Sequence, residues 1–206
     1  MENTNNDFLP SSYEIPRAEG KYFKPKDGEN RFRILSSAII GYVGWNKTGE
    51  KPKPIRKKVD EKFEVGEVDQ KKDKIKHFWA FAIWNVESKK VQILEITQKT
   101  IMDSIKALTQ DEDWGDVTGY DIVVTRTGEK LETKYTTTPK PHKELDQEAK
   151  NAWAEVKPKF DLNKMFTDEN PFGDDDEDDE KKDNTDWDPD NIEKDGNTTE
   201  PPECLK

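Results

Sequence analysis

Residues 75–97 read IKHFWAFAIWNV, then ESKK, then VQILEIT. Two runs rich in β-branched and aromatic residues flank a short polar turn, which is the pattern of a β-hairpin. Upstream, residues 30–45 (NRFRILSSAIIGYVGW) form another such run, with Gly41 and Gly44 where a strand bends or bulges, and predict one long first strand. Between them, residues 46–74 carry Pro52, Pro54 and a dense mixture of charges that cannot supply a buried face, so this stretch is expected to be a long loop. After the hairpin, Ile101, Ile105 and Leu108 recur at helical spacing within residues 98–110, with Thr97 as the expected N-cap. A second hairpin follows as YDIVVTRT (120–127), a turn at Gly128-Glu129, and LETKYTTTP (131–139). Residues 142–156 are helix-prone, and FDLNKMF (160–166) ends the patterned region.

The order strand, loop, strand, strand, helix, strand, strand predicts a mainly β chain. It is that of a five-stranded OB-fold Greek-key barrel, with a helix between strands three and four and a long basic loop after strand one. Residues 1–26, with Pro10, Pro16, Pro25 and scattered aromatics, are expected to be an extended arm whose rings pack on the domain. The domain is expected over 27–166, and a disordered acidic tail over 167–206.

Charge sharpens this division. The 206 residues carry a net charge of -11, yet residues 1–166 hold 30 Lys+Arg and 28 Asp+Glu, whereas residues 167–206 hold 4 and 17. The acidity therefore belongs to the last forty residues, and the body is close to neutral. Seven consecutive acids, Asp174, Asp175, Asp176, Glu177, Asp178, Asp179 and Glu180, stand between Phe172 and Trp187. Like charges keep such a segment extended. It can compete with phosphates for cations, grip a basic partner through its aromatics, or simply solubilise the chain.

No apolar run approaches a membrane span, and the N-terminus lacks the basic and apolar regions of a signal peptide. A single cysteine, Cys204, and two histidines, His77 and His142, give neither a disulfide nor a zinc constellation, so no metal or cofactor is expected. A soluble protein of a reducing cytoplasm fits, the host cytoplasm if the chain is viral. Phosphate-loop, nucleophile-elbow and metalloprotease motifs are absent.

Three constellations could carry chemistry. Lys47, Lys51, Lys53, Arg56, Lys57 and Lys58 set six cations against one anion within twelve residues, flanked by Trp45 and, beyond the loop, Trp79. Spaced cations can follow a phosphodiester backbone while a ring offers a base a stacking face. The alternative is a solvated charge run. In the strand 75–86, His77, Trp79, Phe81 and Ile83 share one face and Phe78, Ala80, Ala82 and Trp84 the other, both largely apolar. Either the N-terminal arm or the helix after residue 142 covers the outer face, or bases stack on it. Arg31 and Arg33 alternate with Phe32 and Ile34 and are expected on one outward side, with Lys134 and Tyr135 as weaker contacts. Asp121, Glu132 and Lys134 have the residue types of a metal-dependent nuclease, in a pattern that arises often by chance.

The run NRFRIL (30–35), the strand HFWAFAIWN, the stretches VQILEITQKTIMDSIKAL and DWGDVTGYDIVVTRTGEKLETKYTTTP, and the terminal acids together resemble bacteriophage single-stranded DNA-binding proteins with an OB fold and an acidic tail. The resemblance covers about residues 20–140 and the tail. It implies a non-enzymatic protein of replication, recombination and repair that coats single strands and recruits replication proteins, such as a polymerase, helicase or primase, through its tail. It implies DNA contacts from Arg31, Arg33, Trp45, Lys47, Lys51, Lys53, Arg56, Lys57, Lys58 and Trp79. The sequence departs from that pattern in two places. The loop has no cysteine for the zinc site of some members, and residues 1–16 lack the Lys or Arg of a basic cooperative arm. Self-association stays open, and the alternative reading is a protein-interaction factor or nucleic acid mimic acting through its tail.

Overall fold

The computed structural model describes residues 20–46, 52–68 and 74–173. Seven strands form one open antiparallel sheet: β1 (Gly28–Ile34), β2 (Ile39–Asn46), β3 (Lys53–Lys58), β4 (Lys76–Asn85), β5 (Lys90–Ile96), β6 (Asp121–Thr127) and β7 (Lys134–Pro139). Two helices accompany them, α1 (Lys99–Gln110) and α2 (Gln147–Val156). The sheet runs β3-β2-β4-β1-β6-β7, with β5 on the other edge of β4.

The sequence predicts five strands, and the two additional ones have distinct causes. The run 30–45 breaks at residues 35–38, so β4 pairs β2 through Lys76–Ala80 and β1 through Ile83–Asn85. At the break the Leu35 N–H donates to the Ala82 carbonyl (2.9 Å), and the Ser36 hydroxyl accepts from the Ala82 N–H (2.9 Å), so a side chain replaces a ladder partner. The expected loop 46–74 contains β3, paired along its length with β2. Pro54 is admissible in it because β3 is an edge strand, where a missing N–H can face away from the ladder, and Pro52 precedes the strand. Helix α1 follows β5 and precedes β6 in the chain, and its N-cap is Gln98 rather than Thr97 and makes no side-chain capping bond. Segment 160–166 forms a short 3₁₀ turn, Leu162–Phe166.

The sheet separates two cores, and β4 lines both. Phe81 and Ile83 enter the first, with Phe32, Ile34, Leu94, Ile96, Tyr120, Ile122, Val124 and the α1 residues Ile101, Met102 and Ile105. Phe78 and Ala80 enter the second, with Val43, Ile93, Leu162 and Met165. The second core answers the question of what covers the outer face. The 3₁₀ turn Leu162–Phe166, Phe160, Phe172 and Tyr22 pack there. Lys21 and Phe23 bond the backbone of Ile93, and the Phe23 ring meets Phe32 at 5.8 Å.

Residues 167–173, which the charge pattern assigns to the tail, also belong to this packing. The Asp161 N–H donates to the Pro171 carbonyl (2.9 Å), Pro171 is buried, and the rings of Phe160 and Phe172 meet edge-on at 5.1 Å. The arm 1–19 and the acids from 174 onward lie outside the described residues. Among the described residues no helix is long and apolar enough to cross a membrane.

Candidate nucleic-acid interface

The first core's face of the sheet does not end where the core ends. Following β4 backward from Phe81, the same face presents Trp79, half-buried, and His77, exposed. Cross-strand register sets Ile40 of β2 opposite Trp79 and Tyr42 opposite His77. Ile40 is 46% exposed and Tyr42 37%, two of the four exposed large apolar side chains among the described residues. The Tyr42 and His77 rings lie 5.4 Å apart, and the Trp79 indole N–H donates to His77 Nε2 (3.2 Å), which fixes the mutual orientation of the three rings. On β3, Lys57 stands opposite Tyr42 and Lys53 opposite Asn46, on this same face. The result is a strip of four apolar or aromatic side chains, Ile40, Tyr42 and His77 exposed and Trp79 half-buried, with two lysines on its flank.

The cations predicted to act together are divided by the sheet. Lys53 and Lys57 share the strip's face, whereas Arg56 and Lys58 alternate to the other. Arg56 is buried there, donating from Nε and Nη2 to Glu95 Oε2 at 2.9 and 2.8 Å. Burial works against its charge, but Glu95, Tyr22 and Asp168 nearby and the bond to Glu95 outweigh that and raise its pKa above the ordinary value. The Lys58 ammonium lies 5.9 Å from the Phe166 ring centroid. Trp45 sits an odd number of positions from Ile40, so it and Trp79 are on opposite faces and cannot flank one strand of nucleic acid together. Lys47 and Lys51 lie outside the described residues.

Arg31 and Arg33 are a correction of a different kind. Both converge on Asp121: Arg31 Nε donates to Oδ2 (2.8 Å) and Arg33 Nε to Oδ1 (2.7 Å). Arg33 is buried and also donates to the carbonyls of Thr118 (3.3 Å) and Lys143 (2.9 Å). It is a structural clamp joining β1, β6 and the segment before α2, not a phosphate contact. Arg31 keeps a half-exposed side chain but is committed to the same carboxylate.

That carboxylate also decides the nuclease constellation. Asp121 starts β6 beside the end of β7, whereas Lys134 pairs with Thr127 at the far end of the hairpin. Six residues of strand separate them, about 20 Å. Glu132 lies just before Lys134, at that same far end. The three are not brought together, and among the described residues no group of three His, Cys, Asp or Glu could hold a metal ion.

Lys134 is exposed on β7, at the opposite end of the strand order from β3, while Tyr135 is half-buried against the first core. Phe172, expected as a partner hook, is part of the second core, with the Lys21 ammonium 6.0 Å from its ring centroid. The acids 174–180 and Trp187 lie outside the described residues. Sequence reasoning missed Ile40 and Tyr42. Their alternation with Gly41 and Val43 was visible, but which partners share their face follows only from register.

Compared with known proteins, this chain matches no protein family, no curated protein and no solved structure.

Proposed function

We propose that the chain is a single-stranded DNA-binding protein built on an OB-type barrel. Taking β1 with β2 as one bent first strand, β4, β5, β6 and β7 follow as strands two to five, with α1 between three and four. First with second, second with third, first with fourth and fourth with fifth are then all paired, as in an OB barrel. The closing pair of third and fifth is absent, and α1 packs against β7 at that gap.

The observation that carries the reading is the strip Ile40, Tyr42, His77 and Trp79, continuous with the core face and flanked by Lys53 and Lys57. Water-exposed rings beside cations suit unstacked bases and their phosphates, and stacking tolerates any base, so binding has little sequence preference. The acidic segment 174–206 has a net charge of -11, which leaves residues 1–173 with 30 charges of each sign. On this reading it competes with DNA and recruits basic surfaces of replication proteins.

Titration of the full chain with a fluorescent dT oligonucleotide at low salt tests this. Saturable binding that weakens as salt rises is expected. Absence of binding by both the full chain and a chain ending at Gly173 overturns the reading.

A further inference from the structure

We propose that segment 63–68 is a built-in substitute for one nucleotide, seated on the strip by a ring and an anion and displaced when a single strand binds. The inference rests on the single-stranded DNA reading above and adds its regulation.

Along β2 the positions on the strip's face run Ile40, Tyr42, Gly44. The first two present side chains to solvent, and the third has none to present. A Cβ at Gly44 would lie 2.9 Å from Val68 Cγ2 and 3.4 Å from Phe63 Cε1, so the next place in the row is filled by these two residues from the segment after β3. That segment turns back on itself at Gly66 (φ +93°), where the Glu67 N–H donates to the Glu64 carbonyl (3.2 Å). The turn delivers a carboxylate: Glu67 Oε1 pairs with Lys57 Nζ at 3.0 Å, and Glu67 Oε2 accepts from the Glu64 N–H at 2.7 Å. Lys57 is the residue opposite Tyr42.

An aromatic ring therefore lies in line with the exposed Ile40 and Tyr42, and an anion lies on the lysine beside them. These stand in for two of the three parts of a nucleotide, its planar base and its phosphate. The Glu64 N–H and the Lys57 ammonium hold the Glu67 carboxyl below its usual range, so it is an anion at neutral pH. The hold on the segment is weak. Its ion pair is partly exposed, Val68 is its one buried side chain, and Val65 projects wholly into solvent. A bound strand that supplies both ring and phosphate replaces both contacts at once.

Glu67→Gln keeps an acceptor for the Glu64 N–H and removes the charge. At low salt it should bind dT oligonucleotide about two- to fivefold more tightly than the natural chain, the range of a surface ion pair. Its log–log salt slope should be steeper by up to about 0.7, one phosphate neutralised without a competing carboxylate. Both gains should vanish when Lys57→Gln is added. In the natural chain, the amides of Glu64, Glu67 and Val68 should exchange hydrogen faster in the complex than free. The inference is overturned if the natural chain binds dT while Glu67→Gln binds equally or more weakly, or if those amides exchange more slowly in the complex. Slower exchange would make the segment a wall of the site. Failure of the natural chain and both variants to bind dT is a different result, which removes the single-stranded DNA reading and this inference with it.

Discussion

The substitution Asp121→Ala isolates what Arg33 does. The Arg33 side chain is 3% exposed and that of Asp121 11%, so removing the carboxylate strands a guanidinium in the interior with only the carbonyls of Thr118 and Lys143 as acceptors. Breaking a buried pair from one side costs about 3–5 kcal/mol, because the remaining charge loses its compensation while its desolvation persists. A domain of this size is stable by about 5–15 kcal/mol, so the loss is a large fraction of the total. At about 2–4 °C per kcal/mol it lowers Tm by about 6–20 °C. The half-exposed Arg31, released at the same time, adds little. Replacing both partners with apolar residues, as in Arg33→Met with Asp121→Leu, should recover most of the loss. Urea unfolding followed by circular dichroism measures all three proteins. A loss below about 1 kcal/mol for Asp121→Ala would refute the clamp, and so would folded Arg33→Met that binds dT more weakly than the natural chain.

On the strip, Tyr42→Ala should weaken dT binding by about 1–3 kcal/mol, the worth of one stacked base, with no comparable loss of stability because the ring is exposed; unchanged affinity in the oligonucleotide titration would remove Tyr42 from the site. A chain ending at Gly173 should bind dT more tightly than the full chain at low salt and converge with it at high salt. Truncation before Phe160 should instead destabilise the fold, because it uncovers Phe78, Ala80 and Ile93, and thermal unfolding of the two chains compares them directly. Acid should destabilise the protein through its capping carboxylates. Asp116, bonded to the Thr118 N–H and hydroxyl, and Asp161, bonded to Asn163, both titrate below their ordinary values in the folded state. A depressed folded pKa contributes stability that is present above the unfolded value, about pH 4, and is lost as pH falls toward the folded one, so the urea midpoint should drop in that window. Asp161→Asn should flatten that drop.

Where one strand's own pattern decides the outcome, the sequence was readable. The two apolar runs about ESKK become β4 and β5, and the stripe Ile101, Ile105, Leu108 becomes the packed side of α1. Where a distant strand decides it, alternation was not enough. Arg31 and Arg33 do share one side of β1, but both bond Asp121, 90 and 88 positions away, and Arg33 is buried there. The basic run 47–58 was visible as charge, while its division between two faces required β3 to be a strand, which Pro52 and Pro54 concealed. The half-buried aromatics of the C-terminal segment posed the same difficulty: Phe172 beside seven acids has the sequence signature of a tail, and only the Pro171 and Phe160 contacts reveal that the body extends past it.

The two-sided strand β4 has a consequence for how the chain finds its register. In a strand with one wet face, a slip of one residue is forbidden by polarity, since it would turn every apolar side chain to water. Here residues 80–83 are buried on both faces, so over that stretch polarity barely distinguishes the two registers. Size does. In the middle of the strand the second core, shared with Leu162 and Met165, receives the small Ala80, whereas the first receives Phe81 and Ile83; the large Phe78 enters the second core only nearer the start of the strand. A slipped strand would press large rings against the closely fitted C-terminal turn and leave alanine-sized voids under α1, both of which cost stability. The alternation of volume over residues 79–83 (WAFAI) therefore does the work that alternation of polarity does elsewhere, and Ala80→Leu would disturb the placement of the strand more than its hydrophobicity implies.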